Sequence, residues 1–208
     1  MNINMKSLKH HEYVSIGSQN PTHRIILLHG WGADADDLLL LGEEITKKLD
    51  YEFEIISLRA PHNRPDDNGR QWYGLFPANW EESQTEVKKL VSTITAFGDL
   101  KIPLKNTVLL GFSQGAAMSI DAGFRMDLGL IVSCSGYEHP CWNPQTKCPI
   151  LISHGTNDDV VPIESSKNIY LKLRDHKIGT CEFHEFLGGH EIHMDFIKII
   201  RSKIKQLF

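Results

Sequence analysis

Cysteine is scarce in this chain. The four present, Cys134, Cys141, Cys148 and Cys181, form no CxxC pair. In the absence of an export signal they are expected as reduced thiols, two or three of them buried, rather than as a disulfide framework. Long apolar runs are also missing. Ile25–Leu28 and Leu38–Leu41 are far too short to span a bilayer. The opening MNINMKSLKHHEYV has no apolar signal core, so the expectation is a cytoplasmic protein with no integral membrane segment. There is no long basic run, and the net charge is −4, which argues against nucleic acid as a partner. Internal repeats, low-complexity tracts and linkers are absent as well. The 208 residues are therefore expected to form a single domain, 1–208, around a sizeable core.

What is present is an alternation of strand and helix signals. Glu12–Gly17 alternates weakly, as an edge strand does. Arg24–Leu28 is a continuous apolar run, the mark of a strand buried on both faces. Asp34, Asp36 and Asp37 then precede a helix expected over Leu38–Leu49. Phe53–Leu58 reads as the next strand. It leads into a long irregular stretch, His62–Trp80, that holds Trp72, Tyr73, Phe76 and Trp80, and a loop of that length is usually functional. An amphipathic helix is expected over Glu81–Phe97, and strands over Thr107–Leu110, Leu128–Ser133, Pro149–Ser153 and Thr180–Phe186. Pro162 opens a helix reaching Arg174, and Glu191–Leu207 closes the chain as another. The alternation predicts an α/β fold, a doubly wound, mainly parallel sheet with helices on both faces. Ligands then gather at the carboxyl ends of the strands, which is where Trp31, Ser113, Asp158 and His190 all fall.

The chain is organised around Thr107–Ser119, TVLLGFSQGAAMS. Gly111-Phe112-Ser113-Gln114-Gly115 is the G-x-S-x-G pattern of a nucleophile elbow, between a β-favouring run and small helix-compatible residues. A serine on such a turn projects its hydroxyl away from the sheet. The glycines flank it because a Cβ there would strike the neighbouring strand or helix. The turn also sets the Gln114 N–H at a helix N-terminus, facing developing negative charge.

Serine becomes a nucleophile when a base takes its proton, and a histidine base is held in one tautomer by a carboxylate. On an α/β-hydrolase sheet the order is Ser, then Asp or Glu, then His. Of the late histidines, His184 sits in a predicted strand, His193 in the last predicted helix, and His154 before a turn. His190 follows Gly188-Gly189, which presents its ring at a helix entry, and it is the favoured base. Asp158 and Asp159 compete for the acid, with Asp158 at the turn and favoured. His190-Glu191-Ile192-His193 places two histidines at i, i+3, one residue short of the H-E-x-x-H zinc spacing, so neither metal nor cofactor is expected.

Leu28-His29-Gly30-Trp31-Gly32, the elbow, His154-Gly155-Thr156-Asn157-Asp158 with Val161-Pro162, and Gly188-Gly189-His190 together resemble the phospholipase/carboxylesterase family. This group of small α/β-hydrolases without a separate cap domain includes the acyl-protein thioesterases. The resemblance runs from about Arg24 to the C-terminus. It implies a Ser113–Asp158–His190 triad, with the backbone N–H groups of Trp31 and Gln114 as the oxyanion hole. Trp31 replaces a leucine common in the thioesterases. Trp72-Tyr73-Gly74 resembles the family's Trp-aromatic-Asp segment without its aspartate.

The implied activity is cleavage of carboxylic esters, with thioesters and lysophospholipids as alternatives, acting on a small-molecule ester or acyl substrate. The aromatic loop Arg70–Trp80 and the loop around Trp142 are the expected walls of the acyl pocket, with Trp72, Tyr73 and Trp142 as the substrate-binding residues, the competing reading being an aromatic cluster that seals the sheet edge. A dienelactone-hydrolase-like enzyme would carry cysteine at the elbow. A ligand-binding protein on a hydrolase scaffold is the reading from another class. A homodimer is left open, since an exposed aromatic loop would serve a dimer or a substrate equally.

Overall fold

The computed structural model describes residues 4–66, 68–140, 142, 148–175 and 180–208. The strands and helices, in order, are β1 (Lys6–Leu8), β2 (His11–Gly17), β3 (His23–Leu28), α1 (Leu39–Thr46), β4 (Phe53–Leu58), β5 (His62–Asn63), β6 (Arg70–Gln71), α2 (Trp80–Gly98), β7 (Thr107–Phe112), α3 (Gln114–Gly123), β8 (Leu130–Cys134), β9 (Ile150–Gly155), α4 (Ile163–Asp175), β10 (Cys181–Phe186) and α5 (Met194–Leu207). The main sheet has eight strands in the order β1-β2-β4-β3-β7-β8-β9-β10. It is parallel from β4 to β10, while β1 and β2 add an antiparallel edge.

The period of two in each strand splits the core into two layers. Ile26, Leu28, Leu109, Ile131 and Ile152 pack on one face against Leu90 and Ile94 of α2, Met118 of α3 and Ile169 of α4. Ile25, Leu27, Val108, Leu110 and Val132 pack on the other against Ile45 of α1 and Ile197 and Ile200 of α5. The chain therefore has the doubly wound, mainly parallel α/β architecture that the alternation of elements predicts. No helix among the described residues is long and apolar enough to cross a membrane.

Several boundaries differ from the sequence expectation. The sheet edge is β1, so β2 lies one strand inside it. Asp34 does not serve α1. Its carboxylate holds the Arg59 guanidinium at 2.9 Å, and α1 starts at Leu39. The stretch expected to be irregular over 62–80 contains the β5–β6 ladder. Gly69 makes its return possible: at φ +85°, a Cβ there would lie 2.0 Å from the Gly32 carbonyl oxygen. The last helix begins at Met194 rather than Glu191. His193 is its N-cap, accepting from the Asp195 N–H at 3.3 Å. Cys134 and Cys148 are buried and Cys181 is half-buried; Cys141 lies outside the described residues.

Candidate active site

β7 delivers Ser113 on a turn that few sequences tolerate. Ser113 adopts φ 55°, ψ −119°, a positive-φ conformation costly for any residue but glycine. Its flanks must be bare. A Cβ on Gly111 would lie 2.1 Å from the Gly115 carbonyl oxygen, and one on Gly115 would lie 2.1 Å from that of Leu28. The Ser113 N–H donates to Cys134 O at 2.9 Å, which ties the turn to β8.

The turn after β9 supplies Asp158, and the turn after β10 supplies His190. Gly155 lets these turns meet, since a Cβ there would lie 2.3 Å from Gly189 O. The Asn157 N–H closes the approach on Gly188 O at 2.9 Å. Asp158 Oδ1 accepts from the N–H groups of Val160 (2.9 Å) and Val161 (2.8 Å). Oδ2 faces His190 Nδ1 at 2.7 Å, and His190 Nε2 lies 2.9 Å from Ser113 Oγ. Burial alone would raise the Asp158 carboxyl. The hydrogen bonds from His190, Val161 and Val160 outweigh that and hold it below its ordinary value, so it is an anion. An anion at Nδ1 fixes the proton there and leaves Nε2 bare toward the serine hydroxyl.

The competing residues make other contacts. Asp159 is exposed. His154 is fully buried, with Nδ1 2.7 Å from Ser166 Oγ and Nε2 2.7 Å from Val161 O and 3.2 Å from Asp158 Oδ2. His184 stands on β10 against Phe196. His190 points to Ser113 while His193 caps α5, so the two do not converge on a common point. Among the described residues no cluster of His, Cys, Asp or Glu is placed to hold a metal.

Trp31, on the loop after β3, and Gln114, the first residue of α3, flank the serine. Neither backbone N–H is engaged in a turn or loop bond among the described residues. Gln114 also works through its side chain, whose Oε1 accepts from Trp72 N at 2.9 Å and whose Nε2 donates to Tyr73 O at 2.8 Å. The Trp31 indole donates to Gln71 Oε1 at 3.0 Å and carries the Arg64 guanidinium 3.6 Å above its ring. The β5–β6 ladder thus fixes the loop that holds the Trp31 N–H.

A cleft of 420 Å³ opens above Ser113 and His190, walled chiefly by Trp31, Leu75, Phe76, Phe112, Tyr137 and Val160. Trp72 and Tyr73 are not in that wall. Both are fully buried, with the Trp72 Nε1–H donating to His29 O at 2.9 Å. Trp142 packs on Phe124, ring centroids 5.2 Å apart, and is also outside the wall. The expected loop Arg70–Trp80 does supply part of the wall, through Leu75 and Phe76 rather than Trp72 and Tyr73, whereas Tyr137 and Val160 were not singled out from the sequence. The available signal was position: each lies within a few residues of a motif at a strand end.

The order, spacing and geometry decide the family. The chain belongs to the phospholipase/carboxylesterase family, whose model matches residues 9–208. It is a hydrolase of that group. It is 28% identical over 215 residues to acyl-protein thioesterase 1 of Yarrowia lipolytica, covering 89% of this chain and 93% of that one. It is 29% identical over 160 residues to carboxylesterase SOBER1 of Arabidopsis thaliana, covering 66% and 68%. Among solved structures it is similar to esterase PE8, with TM-score 0.83, 25% identity and coverage of 99% and 98%.

Proposed function

We propose that the chain is a serine esterase that forms an acyl-enzyme on Ser113. The observation that carries this is the line Asp158–His190–Ser113, with contacts of 2.7 and 2.9 Å, at the floor of a mostly apolar cleft. Ser113 Oγ attacks the acyl carbonyl while His190 Nε2 takes its proton. Asp158 stabilises the imidazolium that results. The N–H groups of Trp31 and Gln114 receive the oxyanion; removing one such donor typically costs about 3 to 4 kcal/mol. The carbon–oxygen bond to the alcohol breaks, and the leaving oxygen takes the proton from His190. Water then gives its proton to His190, attacks the acyl carbon and releases the acid and a free serine. Every group used comes from one chain, and no step calls on a metal.

The substrate class follows from the walls. Leu75, Phe76, Phe112 and Val160 suit an acyl chain or a small apolar ester. Thioesters share the same route, and the likeness to an acyl-protein thioesterase makes them the second substrate to try.

The test is hydrolysis of p-nitrophenyl esters from acetate to long acyl chains by wild type and Ser113→Ala. Wild type is expected to turn over and the variant to lose at least about a thousandfold in kcat with its fold intact. A folded variant with undiminished rate would sink the assignment.

A further inference from the structure

A chain of hydrogen-bonded side chains, buried at Asp121, His139 and Tyr73, runs from α3 to the wall of the cleft, and the hydrolysis steps leave it unused. Arg125 Nη2 donates to Asp121 Oδ1 at 2.9 Å, and His139 Nδ1 lies 2.9 Å from Asp121 Oδ2. His139 Nε2 lies 3.1 Å from the Tyr73 hydroxyl, which lies 2.7 Å from the Tyr137 hydroxyl. Asp121, His139 and Tyr73 are 4%, 3% and 0% exposed, whereas Tyr137 reaches the cleft. Buried polar groups are tolerated when each is satisfied, and here each bond constrains the next.

The donors along this chain can be ordered. Burial would raise the Asp121 carboxyl, but bonds from His139 and Arg125 outweigh it and leave the group below its ordinary value, an anion that only accepts. The Asp121 anion at Nδ1 fixes the His139 ring proton there and leaves Nε2 bare to accept from the Tyr73 hydroxyl. The single Tyr73 proton is thereby committed, so its oxygen accepts from Tyr137. Burial pushes the Tyr137 phenol up to about 12 and raises that of Tyr73 as well, so both keep their protons at neutral pH. Tyr137 lines the cleft, and in this order its proton is directed inward to Tyr73 while its oxygen keeps a lone pair. An isolated tyrosine would offer either a donor or an acceptor; this one is restricted to accepting.

We infer that Tyr137 is a specificity-determining residue that accepts a hydrogen bond from the substrate, so that the enzyme prefers esters bearing a hydroxyl near the scissile carbonyl over their plain alkyl counterparts. This rests on the esterase reading above. Arg125, Asp121, His139 and Tyr73 are positioning residues, acting only through Tyr137.

The test compares kcat/KM within matched pairs: p-nitrophenyl butyrate against its 2-hydroxy and 3-hydroxy forms, and propyl butyrate against 2-hydroxypropyl butyrate. A ratio within one preparation does not depend on how much of a variant is folded. Wild type is expected to favour the hydroxyl-bearing member of at least one pair roughly tenfold, the scale of one neutral hydrogen bond. Tyr137→Phe is expected to bring that ratio close to one. Tyr73→Phe is expected to lower it too, because it frees the Tyr137 proton to turn into the cleft without altering the wall. Ratios near one in wild type, or a preference that survives Tyr137→Phe, would overturn the inference while leaving the esterase reading in place. A preference lost in Tyr137→Phe and unchanged in Tyr73→Phe would overturn the positioning role. Hydrolysis of none of these esters would remove both the reading and the inference.

Discussion

Trp72 is fully enclosed, and its indole donates to the His29 carbonyl, two residues before the Trp31 N–H. It supports the loop that faces Ser113 and does not meet an acyl chain. Trp72→Ala is expected to cost about 3 to 5 kcal/mol of stability, read by denaturant unfolding, with no selective change in acyl-chain preference. Leu75→Ala widens the cleft wall itself. It is expected to move the preferred ester chain length with a smaller loss of stability, read from the p-nitrophenyl series. If Trp72→Ala shifts chain length and Leu75→Ala does not, the placement of the cleft is wrong. At this scale the sequence located Ser113, Asp158 and His190 as neighbours, because each sits in a short motif whose backbone demands are local. It did not separate Trp72 and Tyr73 from Leu75 and Phe76. Four apolar side chains within five positions look alike until the fold decides which face the core.

The strand–turn–helix of β7 and α3 depends on backbone contacts that no side-chain substitution can relax. A methyl group at Gly115 would lie 2.1 Å from Leu28 O and 2.5 Å from His29 O. Gly115→Ala is expected to destabilise the protein by more than about 2 kcal/mol and to cut activity in whatever fraction still folds. Gln114→Ala leaves the backbone N–H in place and strips the Trp72 N–H and Tyr73 carbonyl of their side-chain partners. Two buried backbone groups left unpaired cost about 2 to 5 kcal/mol together, measurable as a fall in the denaturation midpoint. Element boundaries were legible where one periodicity dominates. Phe53–Leu58 is a strand over the residues its pattern marks. They were not legible where tertiary contacts take over. The β5–β6 ladder is two residues a side and closes through Gly69 against Gly32, a contact across sequence that no local pattern shows. The last helix starts three residues late because Glu191 turns back on Gly189 O and His193 takes the cap.

Over the whole molecule, the doubly wound sheet was readable from alternating apolar runs, since strands buried on both faces and one-sided helices carry different periods. Buried ionisable groups were not. His11 follows the turn after the edge strand, in a segment that reads as polar, yet it is 3% exposed beneath α2 with Nδ1 2.9 Å from Thr93 Oγ1. Burial, with lesser effects of His10 and Lys89, lowers it from 6.5 to about 4. The unfolded chain therefore takes up a proton at His11 as the pH falls below 6.5, while the folded chain resists until near 4. The stability lost accumulates across that window and is about 2 kcal/mol by pH 5. His11→Phe is expected to flatten the decline between pH 7 and 5 by that amount, read from urea unfolding at each pH. An unchanged slope would mean that His11 titrates alike in both states.

Ester hydrolysis by this mechanism requires Ser113 as the nucleophile of the cleft, and the most direct test is covalent. Wild type and Ser113→Ala are each treated with a fluorophosphonate, which phosphonylates an activated serine and displaces fluoride, and the adduct is mapped by peptide mass spectrometry. The predicted result is one adduct on the peptide that holds Ser113 in wild type and none in the variant. Failure of folded wild type to label, or an adduct that persists in Ser113→Ala, would contradict it.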